Sequence, residues 1–501
     1  MEAHNPPRVR TYGNWRRPRS AGIHQLGLFG TVSLLVGLVA VVMTMKLFGI
    51  VLALVLFVVL AVMLTVITVP DRHHRTLLQR ITERIAWLRT RAHGAHLYRS
   101  GPLGRVPWGR FQLPGLAAQS ELSEWQDSYG RPFGLLKVPS TFHFTVVFAA
   151  EPDGAQLVDQ REVDLWVARW GQWLASIADE PGLVAVSVTV ETAPDSGARL
   201  QREVLGQLDP QAPVVARDML MEVMNTYPAG SATLKAWIAL TFSATRSGGS
   251  RPASSEDMAR DLAARLPGLT NRLRGTGAGV ARPMSAQQLC EVVRIAYEPR
   301  TARLIDDAYT AGTVPELSWD DVGPAATQTS WDSYRHDGAV SISWSMTGAP
   351  RGEVQSSVLH QLLAPHHEID RKRVSLLYRP LDSARAARTV ERDKNNADFR
   401  VSGAKRPSAR LLREKRETDL TAQEEARGAG LVDFGLVVTA TVLDEERMGA
   451  ARHAIDNLAA TARVQLRPVY GAQDSAFAAT LPLGLVLPKH LKVPAVVRAA
   501  M

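Results

Sequence analysis

Two long apolar stretches dominate the pattern of hydrophobic and polar positions near the start of the chain. They cover residues 26–45 and 47–69, and Lys46 is the only charged residue between them. A hydrocarbon core about 30 Å thick needs roughly 20 helical residues, so each stretch is long enough to cross a bilayer. Because Lys46 and Gly49 leave room only for a tight turn, the sequence predicts an N-terminal two-helix transmembrane hairpin over residues 26–69. A pair of buried helices in a soluble protein is the less favoured alternative.

The pattern changes to an amphipathic one directly after the second stretch. Apolar residues recur at helical spacing over residues 76–91, with arginines on the opposite side. This predicts a helix that either extends the second span or lies in the membrane interface. Residues 96–138 are rich in glycine and proline with scattered aromatics, which is typical of an irregular arm with short strands.

A strand–helix–strand pattern follows. Residues 142–149 and 183–191 have strand composition, and a helix at 162–178 carries Trp166, Trp170 and Trp173 on one stripe. If the strands pair in parallel, the helix is the crossover, and the tryptophans are core residues. Further elements are predicted as helices at 197–208, 213–226 and 255–266, a strand at 234–243, and a capped helix from Ser285 to Tyr297.

The same unit recurs twice in the second half of the chain. Strand, helix and strand are predicted first at 339–347, 353–363 and 373–378, and then at 436–443, 447–461 and 464–470. The predicted fold class is an α+β cytosolic body with ferredoxin-like strand–helix–strand units, anchored by the transmembrane hairpin. The predicted divisions are a basic cytoplasmic N-terminus 1–25, the hairpin 26–69, a juxtamembrane helix and linker 70–138, a first α+β domain 139–300, and a second α+β region 301–501 with a basic insertion at 382–428.

The net charge of +9 is concentrated around the hairpin. Residues 1–91 hold eleven arginines and Lys46 against three acidic residues, and the rest of the chain is neutral in sum. The positive-inside rule therefore places both ends of the hairpin in the cytoplasm, which predicts a multi-pass protein of the inner (cytoplasmic) membrane with a cytoplasmic body. The predicted topology residues are Arg16, Arg17, Arg19, Arg72 and Arg75.

The insertion is the one strongly basic segment of the body. Residues 382–416 contain eleven Lys or Arg against five Asp or Glu, with Phe399 as the only aromatic. A solvated face, or a docking face for an acidic protein partner, is favoured over nucleic acid because base stacking needs more aromatic side chains. The predicted partner-surface residues are Arg385, Arg388, Arg392, Arg410 and Arg413.

No recognisable catalytic or cofactor-binding pattern emerges from the sequence. No nucleotide-binding P-loop occurs, and the glycine-rich residues 275–279 lack its lysine, so they predict a flexible turn. Cys290 lies in a helical pattern that would bury it. The group His360, His366, His367, Glu368 and Asp370 matches no metal-binding spacing and predicts a solvated turn. We therefore expect no catalytic residue, no cofactor and no metal.

Short phrases along the chain carry a resemblance to a known family. They are YGNWRRPR at 12–19, YRSGPLG at 98–104, SVTVETAP at 187–194 and LLYRPLD at 376–382. With the two-helix hairpin, they resemble a family of actinobacterial membrane proteins from conjugative, type IV secretion-like loci. The phrase QDSAFAATLPLG at 473–484 is similar, more distantly, to the phrase that closes the non-motor N-terminal region of VirB/TraC-type conjugation ATPases. No nucleotide-binding loop follows it here, so ATPase activity does not carry over.

The resemblance implies a non-enzymatic inner-membrane scaffold subunit of a conjugative type IV-like secretion or DNA-transfer apparatus. The expected partners are the lipid bilayer, a separate secretion ATPase, other subunits of the machine and further copies of the chain, with nucleic acid less favoured. One alternative is a type VII secretion membrane component resembling EccE. Another is a membrane-tethered transferase, for which Asp320 and Asp321 could hold a metal–nucleotide substrate.

Overall fold

The structure is a computed structural model. It describes residues 10–13, 15, 27–68, 75, 77–104, 106–154, 157–195, 197–209, 211–226, 232–245, 252–350, 352–404 and 406–491. The topology residues Arg16, Arg17, Arg19 and Arg72 lie outside these described residues. Among the described residues the chain is an α+β protein built on one large antiparallel sheet, which confirms the predicted α+β class.

Thirteen strands are present in the described part of the chain. They are β1 Leu97–Arg99, β2 Glu121–Gln126, β3 Pro132–Val138, β4 His143–Glu151, β5 Leu183–Pro194, β6 Ala232–Ser243, β7 Val280–Pro283, β8 Ala326–Thr329, β9 Tyr334–His336, β10 Ala339–Gly348, β11 Arg371–Pro380, β12 Val432–Val442 and β13 Gln465–Pro468. The sheet order is β1-β8-β9-β10-β12-β11-β5-β6-β4-β3-β2, with β13 on β10 and β7 on β4.

Fifteen α-helices are described. They are α1 Gly27–Phe48, α2 Ile50–Thr68, α3 Leu77–Ala92, α4 Gln160–Ala178, α5 Ala198–Gln207, α6 Val214–Thr226, α7 Ser255–Asn271, α8 Ala286–Tyr297, α9 Thr301–Thr310, α10 His360–Leu363, α11 Ser383–Ser402, α12 Ala409–Ala426, α13 Met448–Thr461, α14 Gln473–Ala479 and α15 Leu487–His490. Ser285 caps α8 in the predicted capping box with Gln288.

The body consists of two halves that repeat one order of elements. The first half runs β4, α4, β5, the helix pair α5–α6, β6, α7 and β7, and its strands lie in the order β7-β4-β6-β5. The second half runs β10, α10, β11, the helix pair α11–α12, β12, α13 and β13, and its strands lie in the order β13-β10-β12-β11. Each half thus places its first strand and its second strand on either side of its third.

This arrangement corrects the expected pairing of β4 with β5. Both strands are antiparallel to β6, which lies between them, so they run parallel without sharing a hydrogen bond. The predicted helix at 353–363 is also shorter than expected, because it resolves into a 3₁₀ turn at Ser356–Leu359 and the single turn of α10. The expected short strands within residues 96–138 are present, and the β2–β3 hairpin extends the main sheet beyond β4.

The two halves meet edge to edge through β5 and β11. These strands pair antiparallel over Val186 to Thr192 and Lys372 to Tyr378, and Thr189 lies opposite Ser375. Because equivalent strands that pair antiparallel are related by a twofold rotation, the body has an approximate internal twofold axis at this junction.

One face of the sheet is apolar and carries the main helices. In the first half, Trp173 and Ile177 of α4 pack with Leu262 and Leu266 of α7 on Phe148 and neighbouring strand residues. Trp173 is therefore a core residue, as predicted, and Trp170 is partly buried against the same cluster. Trp166, the third tryptophan of the predicted stripe, is partly buried and does not belong to this cluster. In the second half, α10 and α13 cover the equivalent face around Trp344 and Val438.

The opposite face is lined mainly by small hydroxyl side chains. Cross-strand pairs of Ser and Thr meet along it, at Thr145 with Thr241, Thr189 with Ser375, and Ser343 with Thr439. Hydroxyl groups that are buried this way are stable only when they are hydrogen bonded, and these are. This face is covered by α8, α14 and the C-terminal segment that follows α14.

The N-terminal helices present apolar side chains on almost every side. The window Thr31–Phe48 of α1 is long and apolar enough to cross a membrane, with a mean hydropathy of 2.1, and none of it is buried. The apolar stretch described in α2, Ile50–Val62, is shorter. The two helices are joined at Gly49, whose φ of +90° suits glycine, and they contact each other where Gly37 faces Leu60.

Candidate interaction surfaces

The basic insertion forms a helical hairpin of α11 and α12 that leaves the sheet after β11. Two ion pairs hold its helices together, from Arg400 to Glu414 and from Lys415 to Asp398, each with a nitrogen–oxygen distance of 2.8 Å. Asp382 caps α11 by accepting a hydrogen bond from the backbone nitrogen of Arg385. The insertion is therefore an ordered element, and it occupies the same place in its half as α5–α6 does in the other.

Three of the five predicted partner-surface arginines share one face of α11. Arg385, Arg388 and Arg392 are spaced by three and four residues, and all three side chains are exposed. Phe399 continues the same stripe and is 76% exposed. Arg413 is exposed on α12, while Arg410 lies in the first turn of α12 and its side chain is outside the described part of the structure. The structure thus brings Arg385, Arg388 and Arg392 together as one surface.

Neighbouring acidic residues reduce the positive charge of this surface. Arg385 pairs with Asp382 at 3.2 Å, Arg392 with Asp393 at 3.5 Å and Arg413 with Glu417 at 2.9 Å. Exposed pairs of this kind contribute at most about 1 kcal/mol each and exchange readily with other partners. The carboxylates of a partner protein could therefore take the place of these acidic residues. Nucleic acid binds best to a surface with a strong excess of positive charge, and in these three described pairs each arginine charge is offset by a carboxylate.

Of the predicted topology residues, Arg75 is described. Its guanidinium contacts Glu83 of α3. Burial lowers the pKa of Arg75 to about 10, and repulsion from Arg467 contributes to the same shift. Glu83 also pairs with Arg467 of β13, so Arg75 is linked to the second half of the body through Glu83.

Helix α14 and the C-terminal segment that follows it cross the hydroxyl-lined face of the sheet from one half to the other. Gln473 is fully buried, accepting a hydrogen bond of 2.8 Å from the Ser343 nitrogen and donating one of 3.2 Å to the Ser343 carbonyl. Thr480 reaches Thr439 at 3.1 Å. Further along, the Gly484 carbonyl accepts a hydrogen bond from Thr241 in the first half. Residues 473–484, the phrase with the more distant resemblance, thus join both halves.

A buried ion cluster lies at the junction between the halves. Glu191 of β5 contacts Arg371, and its other oxygen is 3.7 Å from a nitrogen of Arg373. The Arg373 side chain is 1% exposed, and its guanidinium carbon lies 4.6 Å from the centre of the Phe477 ring. Burial lowers the pKa of Arg373 to about 10, against the opposing effect of Glu191. No sequence pattern indicates this cluster, because Glu191 and Arg371 are 180 residues apart along the chain.

The histidine-rich turn is held by structural contacts. Asp370 pairs with Arg447 at 2.8 Å and accepts a hydrogen bond from the Leu443 nitrogen. His366 and His367 stack with their ring centres 4.6 Å apart. Burial lowers the pKa of His366, with a further contribution from His367. Across the described residues, no group of three or more His, Cys, Asp or Glu side chains is placed to hold a metal ion.

The candidate transferase residues occupy a turn. Asp321 accepts hydrogen bonds from the backbone and hydroxyl of Ser318, and Asp320 lies 3.5 Å from Arg110. Cys290 is buried in α8, as predicted, and burial raises the pKa of its thiol to about 12. The glycine-rich turn at 275–279 has three glycines with positive φ, and a Cβ on Gly279 would collide with the Glu151 carbonyl oxygen.

Comparison with known proteins bears on the N-terminal part of the chain. A family described as a domain of unknown function (DUF8461) matches residues 19–79. The match covers α1 and α2 and ends at the start of α3. No curated protein matches the chain in sequence.

Proposed function

We propose that the chain is a membrane-anchored scaffold subunit of a conjugative, type IV-like secretion apparatus. In this proposal α1 and α2 form a hairpin that spans the inner membrane twice, and the body lies in the cytoplasm, where it docks a separate ATPase. Each half of the body is then a ferredoxin-like unit, and several copies of the chain assemble around the transport route.

The observation that carries the proposal is the position of residues 473–484. The phrase is similar to one that closes the non-motor region of conjugation ATPases, and in this structure it is buried across both halves of the sheet. Residues that contact both halves in this way would hold them together as one body for docking the ATPase. The exposed apolar helix α1 supports the membrane anchor, and the arginine stripe of α11 supports a carboxylate-rich partner.

Capture of partners from the native host tests the docking role. Tagged full-length protein is crosslinked in cells, solubilised in detergent and analysed by mass spectrometry. We expect a P-loop ATPase and other conjugation proteins with the wild type. The triple variant Arg385→Gln, Arg388→Gln, Arg392→Gln should recover at least 5-fold less ATPase. A control variant with Arg260→Gln, Arg335→Gln and Arg379→Gln, which removes three exposed arginines elsewhere, should recover the wild-type amount.

Other outcomes of this capture contradict the proposal. Recovery of type VII secretion components in place of conjugation proteins would assign the chain to that system. Recovery of a monomer without secretion partners would reject both systems. The transferase alternative would then be tested by Asp320→Ala, with loss of function in a normally folded protein as its signature.

The single cysteine makes the proposed topology directly testable. In a Cys290→Ala background, one new cysteine is placed at Phe48, the last residue of α1 before Gly49, or at Ser402, the last residue of α11. A membrane-impermeant maleimide added to intact cells should label the cysteine at position 48 and leave that at position 402 unlabelled until the cells are lysed. Labelling of position 402 in intact cells would reject the cytoplasmic body.

A further inference from the structure

A cleft of about 500 Å³ lies between α3 and the end of β13. Arg80 and Arg84 of α3 line one side, and Arg467 of β13 lines the other. Trp331 and Tyr470 form its aromatic wall. The cleft therefore lies between α3, the helix that follows α1 and α2, and the second half of the body.

The charges around this cleft favour an anion. Glu83 is the one carboxylate among the described residues that line it, and it is shared between Arg75 and Arg467, whose nitrogen lies 3.4 Å from the Glu83 oxygen. Burial lowers the pKa of Arg467. A phosphate group placed here would accept charge-assisted hydrogen bonds from the guanidinium groups of Arg80, Arg84 and Arg467, which line the cleft.

The aromatic wall holds two of these arginines in place. The Arg84 guanidinium carbon lies 4.6 Å from the centre of the Trp331 ring, and that of Arg467 lies 5.0 Å from the Tyr470 ring. Trp331 and Tyr470 stack with their ring centres 5.5 Å apart. Because the cations are already ordered on the ring faces, binding an anion would cost less side-chain entropy than binding to extended surface arginines.

The surroundings of the cleft indicate that the anion belongs to a lipid. An apolar stripe runs along α3 beside the arginines, and its members are 41–54% exposed; they are Leu77, Ile81, Ile85 and Leu88. Ile81 also lines the cleft. Only eight residues separate α2 from α3, a span of at most about 30 Å, and the two helices contact each other. An amphipathic helix so close to a membrane span is suited to the bilayer surface.

We propose that this cleft binds the phosphate headgroup of an anionic phospholipid, with the acyl chains along the apolar stripe of α3. The inference rests on the membrane placement proposed above. The bound lipid would be an anionic one, and α3 would hold the body against the cytoplasmic leaflet, whose surface is negatively charged.

Native mass spectrometry of the full chain in neutral detergent tests this site. Phosphatidylglycerol and phosphatidylcholine are titrated separately, and the apparent Kd of the first bound lipid is compared. We expect phosphatidylglycerol to bind at least 10-fold more tightly. Each arginine near a lipid phosphate contributes about 1 kcal/mol, or about 5-fold, so Arg80→Gln with Arg84→Gln should weaken phosphatidylglycerol binding about 25-fold. The control pair Arg260→Gln with Arg335→Gln should change it less than 2-fold.

Three results would overturn the lipid site. Equal binding of the two lipids, or unchanged phosphatidylglycerol binding in the Arg80/Arg84 variant, would reject it. Displacement of phosphatidylglycerol by about 10 mM inorganic phosphate would assign the cleft to a soluble anion instead. That concentration is roughly the Kd expected of a weak surface site for phosphate. Each of these results leaves ATPase capture and the cysteine labelling unaffected, so failure of the lipid site is distinguishable from failure of the scaffold proposal.

Discussion

The hydroxyl of Thr241 donates a hydrogen bond of 3.0 Å to the carbonyl oxygen of Gly484, which holds the segment after α14 against the first half of the sheet. Gly484 has a φ of +63°, and a Cβ at this position would lie 2.3 Å from the hydroxyl oxygens of Thr145 and Thr241. The absence of a side chain at Gly484 is thus what allows the segment to approach the strands.

Replacing Gly484 with alanine should destabilise the body. The left-handed backbone costs about 1 kcal/mol with a Cβ, and the collision with two threonines adds about 1–3 kcal/mol. Gly428→Ala is the matched control, because Gly428 has a φ of +91° and no atom within 4 Å of the added Cβ. We expect a clearly larger fall in the thermal midpoint of the detergent-solubilised protein for Gly484→Ala. Equal falls in both variants would show that the backbone conformation alone matters.

Glu191→Gln should destabilise the junction between the halves. The change leaves Arg371 and Arg373 buried without their counter-charge, which costs about 3–5 kcal/mol. Glu256→Gln removes one partner of the exposed Arg260 pair and should cost at most about 1 kcal/mol. Chemical denaturation of both variants measures the difference. A Glu191→Gln protein as stable as the control would mean that the cluster contributes nothing to the junction.

Stability should fall as the pH decreases below about 6.5. Burial lowers the pKa of His336 to about 3, and burial with the nearby Lys489 and His490 lowers that of His143 to about 4. An unfolded histidine has a pKa near 6.5, so between these values the unfolded chain binds more protons than the folded chain. Each histidine then reduces the free energy of unfolding by about 1.4 kcal/mol per pH unit as the pH falls through this window.

Thermal midpoints between pH 7.5 and pH 5 check this dependence. His336→Gln should flatten the profile, because it removes one of the two buried histidines with a lowered pKa. A His336→Gln profile parallel to that of the wild type would contradict the assignment.

Gly37 should determine how closely α1 and α2 pack. A Cβ on Gly37 would lie 2.4 Å from a methyl carbon of Leu60, so Gly37→Leu should destabilise the pair by about 1–3 kcal/mol. Adding Leu60→Ala should recover part of this loss, because it removes the side chain that collides. A double-mutant cycle of thermal midpoints measures the coupling, and strictly additive effects would show that the two positions do not meet.

Periodicity predicted individual elements well, because helix and strand patterns are local. The strands β4, β5, β10 and β12 lie close to their predicted positions, and the capping box of α8 is present. Periodicity does not predict the order of the strands in the sheet. That order depends on pairing between separate segments, and β6 lies between β4 and β5 although it follows both in the sequence. The α5–α6 pair is predicted from the sequence as two helices and the α11–α12 segment as a basic insertion, and their equivalence emerges only from the sheet order.

The candidate surfaces show the same limit. The excess of basic residues in the insertion predicts a partner surface, whereas the grouping of Arg385, Arg388 and Arg392 on one face of α11 emerges from the structure. The cleft at α3 was not predicted, because Trp331 and Arg467 lie far from Arg84 along the chain. Its only sequence signal was the amphipathic pattern of residues 76–91, which suggested an interfacial helix and gave no indication of a binding site.

The pairing of β5 with β11 also protects the chain from aggregation. These strands are 12 and 10 residues long and rich in valine and leucine, and each would be an open edge if its half stood alone. Long open edges readily pair with other chains. In the joined sheet the terminal strands are instead β1, with 3 residues, and β2, with 6. Each half therefore covers the edge strand of the other. A chain cut between the halves would expose β5 and β11 as two unpaired, aggregation-prone edge strands.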